Sequence, residues 1–279
     1  MVVNFVTRGG PHLASYRLRI EAPAVYLRSL GVGVRIGQFD PSADCHVFSK
    51  HWDGGDVGRA EESPCAVFDV CDDHFGGVHG AHYRAMCVRS HVVVSSVRLG
   101  ERVLEETGRS AEYIPEPYEL PDGAIREPGD DPVALWFGHS SNLPTLRDCG
   151  YEGKLLVCTN AEGRGIVPYS PENLRRCLEA CDFVIIPQRK DWKSANRMVE
   201  SLRAGRFVVA SDIPAYRGFS QYLGDIREGV DWVRSNGHIT ERIISGRSEL
   251  SSFSPEAVGR KWYDFISAAV PRSSGTTST

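Results

Sequence analysis

The chain has 279 residues, of which 41% are hydrophobic and 24% are charged, and its formal net charge is -4 at pH 7. This composition excludes a fibrous or disordered protein and suffices for two modest hydrophobic cores of about 120 to 150 residues each. The mild acidity gives no global electrostatic basis for tight binding to nucleic acid or anionic lipid, although a local basic cleft is compatible with it.

Targeting signals and cysteine usage both suggest a cytoplasmic protein. The N-terminus lacks a basic start followed by a long apolar run, and no stretch of about 18 apolar residues occurs, so we expect neither secretion nor a transmembrane segment. The eight cysteines form no CxxC pair. This favours reduced thiols over a disulfide framework or a zinc site.

Short apolar runs alternate with helical patterns over the first 118 residues, as is typical of parallel α/β units. Strands are predicted at 2–6, 32–36, 45–48, 65–68 and 91–95, with helices at 15–30 and 97–107. The stretch 113–123 that follows is rich in proline and acidic residues and cannot extend a helix or a central strand. We therefore place a domain linker there.

A second α/β series begins after this linker. Strands are predicted at 133–137, 154–158, 182–186 and 207–210, with helices at 140–148, 171–180 and 194–204. The predicted domains are 1–118 and 119–254; a terminal helix at 255–270 is expected to pack back toward the first domain, and 271–279 is expected to be disordered. Two doubly wound, Rossmann-like sheets predict a cleft, with ligands at the carboxyl ends of the strands.

The most informative stretch is 180–214, which reads as a strand, a polar loop, a helix, a glycine cap and a strand. Ser194 suits the N-cap and Gly205 the C-cap, and the apolar residues recur with helical spacing. The polar residues of the loop and helix are Lys190, Lys193, Asn196, Arg197 and Glu200. A helix start with free N–H groups and adjacent cations predicts a diphosphate site, and a carboxylate one turn further in can accept hydrogen bonds from ribose hydroxyls.

This stretch resembles the donor-site segment of GT-B glycosyltransferases, specifically the large group related to sucrose synthase and glycogen synthase. In that group a strand ending in proline precedes a loop, a helix with a ribose-binding Glu, a Gly and a strand of the Val-Val-Ala-Ser type. The resemblance implies that Glu200 binds ribose and that Lys193, with Asn196 or Arg197, approaches the diphosphate. We place Lys190 and Ser194 at the same diphosphate site.

The resemblance also implies the GT-B fold, with an N-terminal acceptor domain and a C-terminal donor domain. The implied reaction moves a sugar from a UDP-glucose-like nucleotide-diphosphate sugar to an acceptor hydroxyl. The donor is a co-substrate, and neither a permanently bound cofactor nor a metal is expected. Retention of configuration is one outcome that the resemblance allows, and the residues leave inversion open as well.

One position departs from the pattern of the group. A second Glu usually lies eight residues before the ribose-binding one, and here that position is Trp192, with Asp191 beside it. The usual contact with the donor sugar is therefore altered or missing.

Two further glycine loops are candidates for phosphate binding. At the first, Gly138 allows close backbone approach, and Ser140, Ser141 and Asn142 can donate to phosphate oxygens. The corresponding loop of the group faces the donor phosphates, although helix capping explains the serines equally well.

The second loop follows the first strand, and similar loops in the group border the acceptor and phosphate side of the cleft. We assign Arg17 to the diphosphate. The acceptor-side residues at this loop are Arg8, Gly9, Gly10, His12 and Arg19. Arg17 and Arg19 cannot share one helical face, so only one is expected to function, and solvated surface arginines are the alternative.

Candidate catalytic residues follow another predicted strand. Asp72, Asp73 or His74 can orient an acceptor hydroxyl or act as a base. A rival reading makes these three, with His79 and His82, metal ligands, but their spacing matches no recognised zinc or iron pattern. His51 is assigned to the acceptor side, in an aromatic loop that ends at Trp52. This loop can stack on a sugar or a base, and the alternative is that its aromatic residues belong to the core.

Several alternatives remain open from the sequence. A catalytically inactive nucleotide-binding regulator would share the fold. A dinucleotide-dependent oxidoreductase would need a G-x-G-x-x-G motif after the first strand, and this sequence does not have that spacing there. The acceptor is a glycan, a small molecule or a hydroxymethylated viral DNA base. The DNA alternative requires a locally basic cleft, for which the candidate cations are Arg8, Arg17, Arg19, Lys50 and Arg84.

Overall fold

The computed structural model describes residues 1–219, 222–235 and 238–271 of the chain. It divides into two compact units, one formed by Met1–Glu116 with the chain from Pro255 onward, and the other by Pro117–Ser254. The division falls inside the stretch 113–123 in which the linker was predicted. Except for Pro271, the predicted disordered tail lies outside the described residues.

The N-terminal unit contains a six-stranded parallel sheet of order β2-β1-β3-β4-β5-β6. The strands are β1 (Val2–Val6), β2 (Gly33–Gly37), β3 (Cys45–Ser49), β4 (Ala66–Val70), β5 (His91–Val94) and β6 (Glu112–Tyr113). The first five lie within two residues of their predicted positions. β6 was not predicted, because a two-residue edge strand carries no hydrophobic period.

Helices cover both faces of this sheet. They are α1 (Ala14–Tyr16), α2 (Ala22–Ser29), α3 (Asp56–Glu62), α4 (Gly80–Arg89), α5 (Val97–Thr107) and the C-terminal helix α11 (Pro255–Ala269). The predicted single helix at 15–30 is instead α1, a π-helical turn over Arg17–Glu21, and α2. In α11, Val258, Trp262 and Ile266 recur every four residues and enter the core that also contains residues of α2.

The C-terminal unit contains a second six-stranded parallel sheet, of order β12-β11-β10-β7-β8-β9. Its strands are β7 (Val133–Phe137), β8 (Lys154–Thr159), β9 (Ile166–Pro168), β10 (Phe183–Ile186), β11 (Phe207–Ala210) and β12 (Tyr222–Leu223). The short edge strands β9 and β12 were not predicted. Because β7 pairs with both β8 and β10, the strand order reverses at β7, and the loops after β7 and β10 flank this switch point.

Among the described residues of the C-terminal unit, five α-helices cover the second sheet in two layers. They are α6 (Leu143–Asp148), α7 (Pro171–Ala180), α8 (Asn196–Arg203), α9 (Ile226–Ser235) and α10 (Ile239–Ser248). Apolar residues of α7 and α8 share one core, and those of α6, α9 and α10 share another. The predicted helix at 140–148 is a 3-10 turn over Ser140–Asn142 followed by α6.

The chain therefore has an α/β fold with two parallel, doubly wound sheets, as the sequence predicted. Among the described residues, no helix combines the length and the apolar character needed to cross a membrane.

Candidate functional site

Two segments that were predicted separately as phosphate-binding meet at the switch point of the second sheet. Arg197, in the first turn of α8, donates a hydrogen bond from its guanidinium to the carbonyl of Phe137 at 3.3 Å. The next residue, Gly138, has φ +156°, and a Cβ built there would lie 3.5 Å from the Arg197 guanidinium. A glycine therefore keeps the backbone at this point open to close approach.

The start of α8 differs from the sequence prediction. The helix begins at Asn196, and its N-cap residue is Ala195, which forms no side-chain capping bond. The prediction of Ser194 as the N-cap is therefore wrong, because the backbone enters the helix one residue later. Gly205 adopts φ +76° after the last helical turn, as expected of a residue that ends a helix in the left-handed region.

The loop before α8 is held by a residue that the sequence analysis missed. The Gln188 side-chain oxygen accepts hydrogen bonds from the backbone N–H groups of Arg189 and Lys190, both at 3.1 Å. The backbone N–H of Gln188 donates to Ser211 Oγ at 2.9 Å. No pattern in the sequence marks Gln188, because its hydrogen-bond partners are backbone N–H groups of its own loop and the hydroxyl of a residue that directly follows the next strand.

The lysines of this loop lie against its tryptophan. Lys190 Nζ is 5.3 Å and Lys193 Nζ 4.3 Å from the centroid of the Trp192 ring. Both ammonium groups thus lie against an aromatic ring of the loop that leads into α8, and the dipole of a helix start favours an anion.

Glu200, the predicted ribose ligand, is only 3% exposed. One carboxylate oxygen accepts a hydrogen bond from the amide of Glu119 at 2.6 Å, and the other accepts from the amide of Leu120 at 3.2 Å. An ionised carboxylate has about four acceptor positions, so these bonds orient the group without exhausting its capacity. Its ribose contact stays a prediction.

The loop after β7 is closed by a second residue that the sequence analysis missed. Asn160, which follows β8, accepts a hydrogen bond from the Ser140 amide at 2.8 Å, and its side-chain nitrogen lies 3.2 Å from His139 Nε2. The Asn142 amide donates to the His139 carbonyl at 2.9 Å. The backbone N–H groups of Ser140 and Asn142 already donate hydrogen bonds within the loop. A phosphate contact from either residue would therefore have to come from its side chain.

The acceptor-side prediction for Arg19 is not supported by its position. Arg19 and Asp69 form an ion pair in which both side chains are 0% exposed, with Arg19 Nε 3.1 Å from Asp69 Oδ1. Ser49 Oγ donates to the same carboxylate at 2.7 Å, and Arg19 lies 5.2 Å from the Trp262 ring. Arg19 therefore joins the sheet to α11 inside the core rather than meeting a ligand.

The remaining residues of the loop after β1 form a closed turn. The Gly9 amide donates to Thr7 Oγ1 at 3.0 Å, and the Gly10 carbonyl accepts from Leu13 at 2.9 Å. The Arg17 side chain donates to the Pro11 carbonyl at 2.7 Å, Arg8 pairs with Asp53, and His12 is exposed.

The predicted catalytic residues after β4 have different surroundings. Lys50, at the end of β3, adopts φ +51°, which is unusual for a non-glycine residue, and pairs with Asp72. Burial lowers the pKa of Lys50, but the neighbouring Cys71 and Asp72 outweigh it, so the pKa is raised overall. Burial raises the pKa of the Cys71 thiol to about 12, so this group stays protonated at neutral pH.

Asp73 and His74 are also engaged within the N-terminal unit. Asp73 accepts a hydrogen bond from the Phe75 amide at 3.0 Å and faces Arg102 Nε at 3.3 Å, which suits a structural turn. The His74 ring lies edge-on to Trp52 and Tyr83, and burial lowers the pKa of His74. A neutral imidazole at this position can accept a proton.

A histidine and carboxylate pair lies beside these groups. His51 Nδ1 is 2.7 Å from Oδ2 of Asp56, whose side chain is fully buried, and Asp56 also accepts from the Asp53 amide at 2.8 Å. Asp56 thereby fixes the ring orientation of His51. The other ring nitrogen of His51, Nε2, is the one that does not contact Asp56. The sequence analysis missed Asp56, which lies at the start of a helix that it did not predict.

Within the described part of the chain, no three or more His, Cys, Asp or Glu side chains are arranged to hold a metal ion. The members of the rival metal set have other neighbours instead: His79 stacks on Trp52, and His82 Nε2 is 3.9 Å from Asp56.

Comparison with known proteins identifies the fold. No protein-family model matches the chain, and no curated protein matches it by sequence. A solved glycosyltransferase from Rickettsia africae ESF-5 has a TM-score of 0.70 at 10% identity, over 98% of this chain and 99% of that one. Anabaena Alr3699/HepE, solved with UDP and glucose, has a TM-score of 0.66 at 10% identity, over 96% of this chain and 100% of that one.

A third similar structure is an alpha-glucosyltransferase, AGT, in complex with UDP. Its TM-score is 0.66 at 8% identity, over 95% of this chain and 99% of that one. These likenesses extend over nearly whole chains, and the fold is that of the GT-B glycosyltransferases, as the sequence predicted.

Proposed function

We propose that this chain is a glycosyltransferase that moves a hexose from a UDP-glucose-like donor to an acceptor hydroxyl. The observation that carries the proposal is the meeting of Gly138 with Arg197 at the switch point of the second sheet, in the first turn of the helix that follows the loop with Lys190 and Lys193. An open glycine backbone, a helix start and cations on that helix and on the loop before it suit a diphosphate. The GT-B fold, which the UDP-bound structures share, supports the same conclusion.

In this proposal the cations act on the leaving group. As the bond between the anomeric carbon and the diphosphate breaks, negative charge grows on the diphosphate oxygens. Arg197 can donate to these oxygens in place of the Phe137 carbonyl, and the positive charges of the two lysines stabilise the negative charge on them. These side chains supply the neutralisation, so the proposed reaction requires no metal.

Glu200 binds the donor ribose in the proposed reaction. Its carboxylate is already oriented by the amides of Glu119 and Leu120, so binding costs little rearrangement. Trp192 takes the position at which the related group has a Glu, and we propose that it covers the donor sugar instead of hydrogen-bonding to it.

The acceptor is proposed to bind the N-terminal unit, at the loops after β3 and β4. Two groups there can receive the hydroxyl proton: Asp72, which pairs with Lys50, and His51, which Asp56 orients. Arg17, in the loop after β1, stays a proposed phosphate contact, and Gly9, Gly10 and His12 stay proposed acceptor-side residues.

Glu200→Gln tests this proposal better than Glu200→Ala, because it leaves one rather than both of the backbone N–H groups of Glu119 and Leu120 without an acceptor. We expect UDP and UDP-glucose to raise the melting temperature of the wild-type protein, and UDP-glucose to be consumed. Glu200→Gln should lower the affinity for UDP but leave the affinity for inorganic pyrophosphate, which has no ribose, unchanged.

The matched control is Glu179→Gln, at an exposed carboxylate on α7 that pairs with Arg175. It should change neither affinity. Unaltered UDP binding by Glu200→Gln would contradict the ribose assignment. UDP binding without any turnover would favour the regulatory alternative, to which the loss of the usual Glu at Trp192 gives some support.

A further inference from the structure

An exposed tryptophan in the N-terminal unit is held rigidly from behind. Trp52 is 38% exposed, and its ring stacks on His79, with centroids 5.2 Å apart and planes 17° apart. His74 meets the same ring edge-on at 5.6 Å, and the buried Tyr83 packs against His74 at 5.2 Å. Two histidines of the loop after β4 thus pack against this surface ring and restrict its motion.

A fixed aromatic surface is suited to bind a flat partner. Because its conformation is set before binding, Trp52 loses little entropy when a ligand covers it. An aromatic face binds either a nucleobase, by stacking, or the C–H face of a sugar ring. The charges around the ring decide between these two ligands.

The basic lining that a nucleic acid would need is neutralised. Of the five cations that could form it, four pair with carboxylates and the fifth, Arg17, donates to the Pro11 carbonyl. The four pairs are Arg8 with Asp53, Arg19 with Asp69, Lys50 with Asp72, and Arg84 with Glu106. Affinity for nucleic acid comes mainly from cations that replace the counterions of the phosphates, and a cation already paired with a carboxylate contributes little to it.

The same carboxylates favour a neutral, hydroxyl-bearing ligand. Asp53 follows Trp52 directly, and Asp72 is close enough to His74 to affect its pKa. Both are partly exposed, so their oxygens can accept hydrogen bonds from hydroxyl groups.

We infer that the face of Trp52 binds a neutral sugar residue of the acceptor, so that the acceptor is a glycan or glycoside rather than DNA. This inference rests on the proposed transferase function and names its acceptor class. The sugar stacks its C–H face on the indole, and its hydroxyls reach the carboxylates at the rim.

Transfer from UDP-glucose to two sets of acceptors tests the inference. The first set contains methyl glycosides of glucose, galactose, mannose and N-acetylglucosamine, with maltose and cellobiose; the second is a duplex containing 5-hydroxymethylcytosine. We expect at least one saccharide, and not the duplex, to accelerate UDP release above the rate with water. Trp52→Ala should lower kcat/KM for that saccharide by about 10-fold or more, and Trp52→Phe by less.

The controls separate this inference from the proposed function. Leu104→Ala, at an exposed apolar residue of the same unit, should leave transfer unchanged. Trp52→Ala should also keep the wild-type thermal shift with UDP, which is proposed to bind the C-terminal unit. If the wild-type protein shows neither this thermal shift nor consumption of UDP-glucose, the result counts against the proposed function.

Saccharide binding is also measured without turnover, by saturation-transfer NMR on the wild type and Trp52→Ala. Binding that disappears in the variant supports the inference even in an inactive protein. The inference is overturned if no saccharide of the panel binds, if Trp52→Ala binds and transfers as well as the wild type, or if the duplex is the acceptor.

Discussion

The two units place their cations in opposite surroundings at the carboxyl ends of their strands. In the N-terminal unit, Arg19 and Lys50 contact the carboxylates of Asp69 and Asp72. In the C-terminal unit, Arg197 contacts a backbone carbonyl, and Lys190 lies over an indole ring. Arg19 and Lys50 are therefore committed to carboxylates, whereas Arg197 and Lys190 have neutral partners that an anion can replace. Two cations do not follow this division, because Arg17 donates to a carbonyl and Arg189 pairs with Asp148.

This difference bears on which ligand each unit can take. A phosphate replaces a carbonyl or an aromatic face easily, because the cation exchanges a neutral partner for a charged one. It replaces a carboxylate only if that carboxylate is left with no cation, which is costly when the pair is buried. This difference supports the proposal that the anionic donor binds the C-terminal unit and a neutral acceptor the N-terminal unit.

The largest expected effect is on stability, at the buried ion pair of the N-terminal unit. Arg19→Ala should lower the free energy of unfolding by about 3 to 5 kcal/mol, because it leaves the Asp69 carboxylate buried without a cation. Arg35→Ala, at a partly exposed pair with Asp40, should cost less than about 1 kcal/mol. Urea unfolding followed by circular dichroism measures both.

The same variant tests whether Arg19 is structural. At a temperature where Arg19→Ala remains folded, UDP should bind as it does to the wild type. The double variant Arg19→Met, Asp69→Leu should recover part of the lost stability, since it removes both buried charges together. A stable Arg19→Ala with impaired acceptor use would instead restore the acceptor-side role.

The next largest effect is expected on donor binding. Arg197→Ala should weaken UDP binding by about 10- to 100-fold, since a hydrogen bond to a charged group contributes about 1.5 to 3 kcal/mol. Arg197→Lys should lose less, because it keeps the charge without the planar fork. Calorimetric titration with UDP measures this, with Arg175→Ala on α7 as the matched control.

A smaller, salt-dependent effect is expected at the loop before α8. Replacing Lys190 and Lys193 by Gln should weaken UDP binding by about 2- to 5-fold each at low salt, as a charge near a helix N-terminus contributes about 0.3 to 1 kcal/mol. The difference from the wild type should shrink as salt is added. Lys154→Gln, at the amino end of β8, should have no effect; a loss that persists at high salt would indicate a packing role instead.

The sequence predicted the central strands of both units because each is an apolar run bounded by turn residues. It failed at β6, β9 and β12, whose two or three residues are too few to show a period, and it placed the N-cap of α8 on Ser194. Capping depends on the φ and ψ of the entering residue, which composition does not reveal.

The candidate site was predictable only where a local motif carries it. Gly138, Arg197 and Glu200 stand in a strand-loop-helix context that can be read along the chain. Gln188, Asn160 and Asp56 act through contacts with other strands or with backbone amides, so no local spacing identifies them. Arg19 was misread for the same reason, because its partner Asp69 is 50 residues away.

The smallest expected effect is a pH dependence of stability in the N-terminal unit. His46 Nε2 lies 2.7 Å from the Asp40 carbonyl, while Nδ1 is buried without a partner among the described residues. Burial lowers the pKa of His46, because a second proton would sit on that buried nitrogen. The unfolded chain therefore takes up a proton as the pH falls below about 6.5, before the folded chain does, and stability decreases with decreasing pH.

His46→Gln keeps a donor for the Asp40 carbonyl and removes the titrating group. Between about pH 7.5 and 5, the free energy of unfolding of this variant should fall less steeply than that of the wild type. The difference between the two slopes should be at most about 1.4 kcal/mol per pH unit. Urea midpoints across this range measure the slope, and His238→Gln, at an exposed histidine of the C-terminal unit, should leave it unchanged. Equal slopes in His46→Gln and the wild type would mean that the buried nitrogen does not resist protonation, and that the acid sensitivity of this unit lies at its aromatic surface, with His74.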